Sequence, residues 1–457
     1  MLKFNKFFSV VLGIIILASV NIYSKSDETY DTLRMMIDIM EIIDVNYVDT
    51  TKPKDLVIGA INGVVRTLDP YSQFMDEKSY KEMKTETQGS YGGIGLRITM
   101  QDNILTVLTP MADTPAYFAG ILPDDKIIKI DSTSTDGMSS DEAVKLMRGN
   151  PGTKVVLTIF RPSTKQELVF ELKRKDIKIE TVKKQMLEDN IGYIRLSEFN
   201  AQSAGDISKM LKELTKDGMT SLILDLRNNP GGLLDSAIEI CGLFIKEDSL
   251  VVSTKGREKI QEQHYVTKKK PLYPDLPVII LINRGSASAS EIVAGTLQDY
   301  KRVLVIGSNS FGKGSVQTII PLSDGNALRL TIAKYYLPSG RTIAQRTEKK
   351  DIKRGLEPDI KIEVSPETEG KLYIQSEKIK VKDSDKKDVK IKDEVLDTAV
   401  SVIKSKKTEE YIKHPERYLQ DNPKQESKNL NTEDNKDKEI IKEEKELKDD
   451  KKTEKTK

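Results

Sequence analysis

Between residues 190 and 335, short apolar runs alternate with stretches of helical period, and this pattern constrains the fold more than any other. GYIRLSEF, SLILDL, PVIILI and VLVIG are short and nearly unbroken, as strands covered on both faces read. Between them, AGDISKMLKELTK, the residues after NPGG, and SEIVAGTLQDY repeat apolar residues at helical spacing. That order predicts an α/β domain with a mixed, largely parallel sheet and helices against it. Ligands of such sheets bind at the carboxyl ends of strands, so the loops after SLILDL and PVIILI are where chemistry is expected.

The flanking segments differ in period. Residues 25–88 read as a helical module, with YDTLRMMIDIMEIIDVNYV and DLVIGAINGVVRTL each showing three- and four-residue apolar spacing. Its apolar faces exceed what a small core of its own can cover, which suits either a homodimer contact or docking on the same chain. Over 89–175, the runs GLRITM, ILTVLTP, DKIIKIDS, KVVLTIF and ELVFELKR alternate between turns, with one helix at SSDEAVKLMRG. This predicts an inserted, compact β-rich domain ahead of an α/β core spanning 176–365.

Both ends bear on location. Lys3 and Lys6 precede an apolar run from Phe7 to Val20, the order of an export signal over 1–24. The residues near Ser19 to Ser24 make a poor cleavage site, so the segment also suits a signal anchor holding the chain at a membrane, on the extracytoplasmic (periplasmic or cell-envelope) side. Residues 366–417 read as a helical extension in which Asp393–Lys404 places Val395, Leu396, Ala399 and Ile403 on one side, and 418–457 as a disordered charged tail. With a net charge of +2 the chain has no basic field for nucleic acid, and a single cysteine excludes an intramolecular disulfide or a cysteine metal cluster. Cys241, among apolar neighbours in AIEICGLFI, reads as core.

The scarcity of histidine narrows the chemistry. A serine–histidine–acid triad needs a histidine near a strand end, but the chain has two, His264 and His414, both in hydrophilic stretches. A serine nucleophile here needs another base, and a desolvated lysine is the usual substitute. NRGSASASEIVAG puts Ser286, Ser288 and Ser290 where a strand runs into a helix, suiting either a nucleophile or a helix cap. In VLVIGSNSFGKGSVQ, Lys313 lies between two glycines after an apolar strand, and Gln317 follows four residues on. The stretch approaches a phosphate loop, but Gly314 stands where a Ser or Thr must hold magnesium. Pro230-Gly231-Gly232 offers backbone amides suited to an oxyanion hole, or an ordinary strand-to-helix turn.

DLRNNPGGLL, NRGSASASEI and FGKGSVQ, in this order, together with LDPYSQFM (Leu68–Met75), resemble the carboxy-terminal processing (tail-specific) protease family. The resemblance spans roughly residues 30–400 and implies a serine protease core with a PDZ domain before it. It implies Ser288 as nucleophile, Lys313 as base and Gln317 as the residue positioning the lysine. An oxyanion hole would come from the Ala289 N–H and from Gly231 or Gly232. Gly93, Ile94, Gly95 and Leu96 have the form of the PDZ carboxylate-binding loop, beside which a substrate tail would add as a strand. Expected substrates are exported proteins with unstructured C-termini, and no metal, nucleotide or cofactor is required. Two rivals stand beside this reading: a catalytically silent PDZ adaptor, and an α/β enzyme acting on small thioesters.

Overall fold

The computed structural model describes residues 30–101, 104–111, 113–343, 355–377 and 391–423. The expected signal segment (1–24) and nearly all of the expected disordered tail lie outside the described residues. Among the described residues no helix is long and apolar enough to cross a membrane.

Two compact units divide the chain: Met1–Glu77 with Gln317–Thr331, and Lys78–Val316 with Ile332–Lys457. The larger unit holds the α/β core. Its sheet runs in the order Val182–Met186, Ile191–Leu196, Ser221–Asp225, Val278–Ile282, Leu304–Gly307, Ile360–Lys361, with Val182–Met186 antiparallel at one edge and the rest parallel. The unbroken apolar runs follow from burial on both faces. Val278, Ile280 and Ile282 pack on one face against Leu211, Ile240 and Val293, which come from the helices Ser203–Lys216, Leu234–Cys241 and Ala289–Asp299. Ile279 and Leu281 point to the other face, against Val395, Ala399 and Val402 of the helix Glu394–Lys404. Each such side chain contributes about 1.5–3 kcal/mol by leaving water. In that helix Val402 rather than Ile403 is the fully buried residue, so the expected stripe is turned slightly on the helix. Cys241 is buried among the core side chains, and burial pushes its thiol pKa up.

The same unit contains the β-rich domain. All five expected strands form, at Leu96–Gln101, Ile104–Pro110, Lys126–Ile130, Lys154–Arg161 and Gln166–Lys173, with Thr133–Ser134 added beside the third. Leu96–Gln101 stands at the sheet edge, paired on one side only with Ile104–Pro110. Ser139 caps the helix Ser140–Met147 in a capping box with Glu142, which closes this small core over Ile127, Leu157 and Ile159.

The smaller unit has helices at 30–46 and Pro53–Arg66 and a strand, Gln73–Met75, paired with Ala327–Arg329. Helix 30–46 leaves apolar residues in water, with Ile37 at 54%, Ile42 at 60% and Val45 at 80% exposure.

Candidate active site

Three loops at the carboxyl ends of neighbouring parallel strands are stitched together by polar side chains. After Ser221–Asp225, the Asn228 N–H donates to Asn283 Oδ1 at 2.8 Å, and Asn283 Nδ2 returns a bond to Asn228 Oδ1 at 2.9 Å. Asn229 ties the same turn to its neighbours, donating from Nδ2 to the Leu196 carbonyl and accepting from the Ala287 N–H on its own carbonyl. Beneath this turn, Asp225 receives the Arg227 guanidinium and the Tyr193 hydroxyl, and Arg227 reaches on to Asp393 at 2.8 Å. Burial alone would raise the Asp225 pKa, but the Arg227 charge and hydrogen bonds, with Tyr193, hold it below the ordinary carboxylate value.

The three alternating serines have different environments. Ser286 and Ser290 are fully buried, and each donates to a main-chain carbonyl: Ser286 Oγ to Leu226 at 2.8 Å, Ser290 Oγ to Asn229 at 2.9 Å. Both clamp one loop to the next. Ser288 is half-buried and holds the backbone in the left-handed half of the map, at φ 55° and ψ −114°. For a non-glycine residue that conformation costs about 1–3 kcal/mol and persists where the surroundings impose it. Ser288 precedes helix Ala289–Asp299, so the Ala289 N–H lies in the first turn, where no intrahelical acceptor exists.

Glu291 imposes the turn. Its side chain is fully buried and has no cationic partner among the contacts that place it. Oε2 accepts from the Ser288 N–H at 2.8 Å and the Lys313 N–H at 3.0 Å; Oε1 accepts from the Gly312 N–H at 2.7 Å and from Ser310 Oγ. Tyr335 Oη lies 3.4 Å from Oε2 and also donates to the Lys313 carbonyl. One carboxylate therefore binds the Ser288 turn to the loop bearing Lys313, which is itself half-buried. Burial raises the Glu291 pKa in spite of these donors. The residue escaped the sequence reading, although Ser288-x-x-Glu291 ahead of an apolar run is the signature of a capping box.

Gly231 is pressed against the same turn. A Cβ on it would lie 2.7 Å from Ser288 Cβ and 2.9 Å from the Ala289 nitrogen, at a φ of +99°, so only glycine leaves that cradle open. Its N–H donates to Asn229 Oδ1 at 2.9 Å. A Cβ on Gly232 would instead meet the Phe199 carbonyl at 2.0 Å, which fixes the turn against the neighbouring strand end.

Ser288, Ala289, Gly231 and the Lys313 loop thus come together within the larger unit, whereas Gln317 belongs to the smaller one, where its Nε2 donates to Thr331 Oγ1 at 3.3 Å. Both histidines are exposed. In the β-rich domain the Ile94 carbonyl accepts from Ala116 N–H, and the Gly95 carbonyl from Met111 N–H and Thr114 Oγ1, which shapes the loop entering the edge strand.

The model described as Peptidase family S41 matches residues 190–362, a PDZ domain model matches 106–161, and the model for the activating protease CtpB N-terminal domain matches 18–79. A carboxy-terminal-processing protease of Bartonella bacilliformis is 41% identical over 363 residues, covering 77% of this chain and 81% of that protein. The carboxy-terminal processing protease CtpB of Bacillus subtilis is 37% identical, covering 70% of this chain and 66% of that protein. Among solved structures, the photosystem II D1 C-terminal processing protease is 27% identical, covering 72% of this chain and 92% of that one, with a TM-score of 0.40.

Proposed function

The chain belongs to the carboxy-terminal processing proteases of peptidase family S41 and is a serine peptidase, and from that premise we propose that Ser288 is its nucleophile and Lys313 its general base. The observation that carries this is the contrast among the three serines: Ser286 and Ser290 are spent on main-chain carbonyls, while Ser288 sits half-exposed on a left-handed turn at a helix N-terminus. Neutral Lys313 takes the Ser288 proton as the oxygen attacks the scissile carbonyl. The acyl-enzyme forms as the leaving amine takes up that proton, and water then completes hydrolysis.

The Ala289 N–H and a glycine amide of the Pro230–Gly232 turn stabilise the tetrahedral oxyanion. Since the Gly231 N–H is held by Asn229 Oδ1, we assign the second donor to Gly232. A boronate complex with its oxygen on the Gly231 N–H would overturn that assignment.

Substrates are exported proteins with unstructured, somewhat apolar C-termini. The tail enters the PDZ domain as a strand along the open edge of Leu96–Gln101, its carboxylate held by the amides of Gly93–Leu96. The apolar run Phe7–Val20 takes the enzyme out of the cytoplasm, which cell fractionation with and without residues 1–24 tests. The exposed apolar face of helix 30–46 suits a second copy, and light scattering of an Ile42→Glu variant tests for the homodimer.

The catalytic reading is tested with a folded protein carrying a flexible apolar tail. Ser288→Ala and Lys313→Ala should each abolish its cleavage without changing the circular dichroism spectrum. Binding of the tail by the wild-type chain with no turnover would instead favour the adaptor.

A further inference from the structure

Lys313 stands between two glycines, and Gly312 takes a φ of +92°, which glycine adopts freely and which leaves the chain little local constraint. What holds the main chain here comes from elsewhere in the larger unit. Glu291 takes the donors: the Gly312 N–H at 2.7 Å and the Lys313 N–H at 3.0 Å. Tyr335 takes the acceptors. Its hydroxyl donates to the Lys313 carbonyl, and its own N–H donates to the Gly314 carbonyl at 3.1 Å. Two successive N–H groups and two successive carbonyls are thus held by two residues 44 positions apart.

Tyr335 makes a rigid holder. It is 2% exposed, belongs to the core cluster that contains Val293, Leu337 and Ile343, and pairs in register with Thr254 of the strand Leu250–Gly256. A phenol has one proton to give. Glu291 Oε2, at 3.4 Å, lies outside the range of about 2.5–3.0 Å that an O–H donor prefers, so the proton serves the Lys313 carbonyl. A phenylalanine would fill the same space in the core. What the hydroxyl adds is the bond to the lysine loop, and a buried tyrosine hydroxyl ordinarily has such a partner.

We propose that Tyr335 is a positioning residue for the base: it holds the carbonyls of Lys313 and Gly314 while Glu291 holds the N–H groups of Gly312 and Lys313, so the lysine side chain leaves a main chain fixed at both ends. The proposal rests on the reading of Lys313 given above. It divides the work between a carboxylate that takes only donors and a tyrosine that takes only acceptors, in a loop whose own glycines fix nothing.

The test uses the full-length chain. Tyr335→Phe keeps the ring and removes only the hydroxyl. It should lower kcat for tail cleavage by about tenfold, the worth of one hydrogen bond, with KM unchanged, and slow fluorophosphonate labelling of Ser288 by the same factor. Hydrogen exchange followed by mass spectrometry should show the amides of residues 312–314 opening about tenfold more often, with those of the strand Val278–Ile282 unchanged. Phe244→Leu, a core change elsewhere in the same unit, should lose stability and keep kcat, as a residue that only supports the fold would. Full kcat in Tyr335→Phe, a loss confined to KM, or faster exchange throughout the core overturns the proposal. The wild-type chain gives a check that needs no variant: if the amides of residues 312–314 exchange as fast as open chain, nothing holds the loop and the proposal is overturned. Full activity in Lys313→Ala removes the reading of Lys313 instead, a separate failure visible in that single variant.

Discussion

Two buried carboxylates, Asp225 at the end of the strand Ser221–Asp225 and Glu291 in the first turn of the helix Ala289–Asp299, have surroundings with opposite effects. Asp225 faces the Arg227 guanidinium, is further bonded by Tyr193, and has its pKa lowered. Among the described residues Glu291 is met by main-chain N–H groups and hydroxyls, and burial raises its pKa. The first is a closed ion pair that anchors a turn and, through Asp393, the C-terminal helix Glu394–Lys404. The second is an uncompensated charge held by dipoles, and the residues it gathers are Ser288 and Lys313. An ion pair fixes structure at a desolvation cost; a dipole-held carboxylate fixes geometry through main-chain N–H groups and hydroxyls.

The largest effects should come from removing either acid. Asp225→Ala leaves Arg227 with only the Asp393 partner and should cost about 3–5 kcal/mol in urea denaturation. Glu291→Ala should unfold less readily than that but lose tail cleavage by at least about a hundredfold, since the Ser288 turn and the Lys313 loop lose their shared acceptor. If the two variants exchange these phenotypes, the distinction fails.

Acidification separates the pair more gently. Glu291, raised above 4.5, takes up a proton first, and the folded state binds that proton more readily than the unfolded chain. Its titration therefore favours folding as pH falls while it slackens the site. Asp225, lowered below 3.8, contributes stability that is complete above that value and is lost only as pH falls through its depressed pKa. Cleavage should consequently fall reversibly above the pH at which circular dichroism changes; coincident transitions would contradict this. In Glu291→Gln the acid limb of activity should flatten.

A smaller effect is expected at the buried clamps. Ser290→Ala removes one bond to the Asn229 carbonyl and should cost about 1 kcal/mol in stability, with most of the activity kept.

Much of the core was legible because two-sided burial makes a parallel strand nearly all apolar, as in Val278–Ile282. The hairpin strands Leu250–Gly256 and Gln263–Val266 were not, since Lys255, Gln263 and His264 carry no such run and their pairing is set by tertiary partners. SASAS narrowed the nucleophile to three serines but could not rank them, because what separates them is which hydroxyl a distant carbonyl captures. Glu291 had a local signal, the capping-box spacing, yet its reach to Gly312 and Lys313 belongs to a loop about twenty residues on, which no local pattern encodes.

The central claim is that Ser288 alone is activated. Treating the full chain with a fluorophosphonate and locating the adduct by peptide mass spectrometry tests it most directly. The account predicts an adduct on Ser288 in the wild-type protein and none in Lys313→Ala. An adduct on Ser286 or Ser290, or undiminished labelling of Ser288 without Lys313, would contradict it.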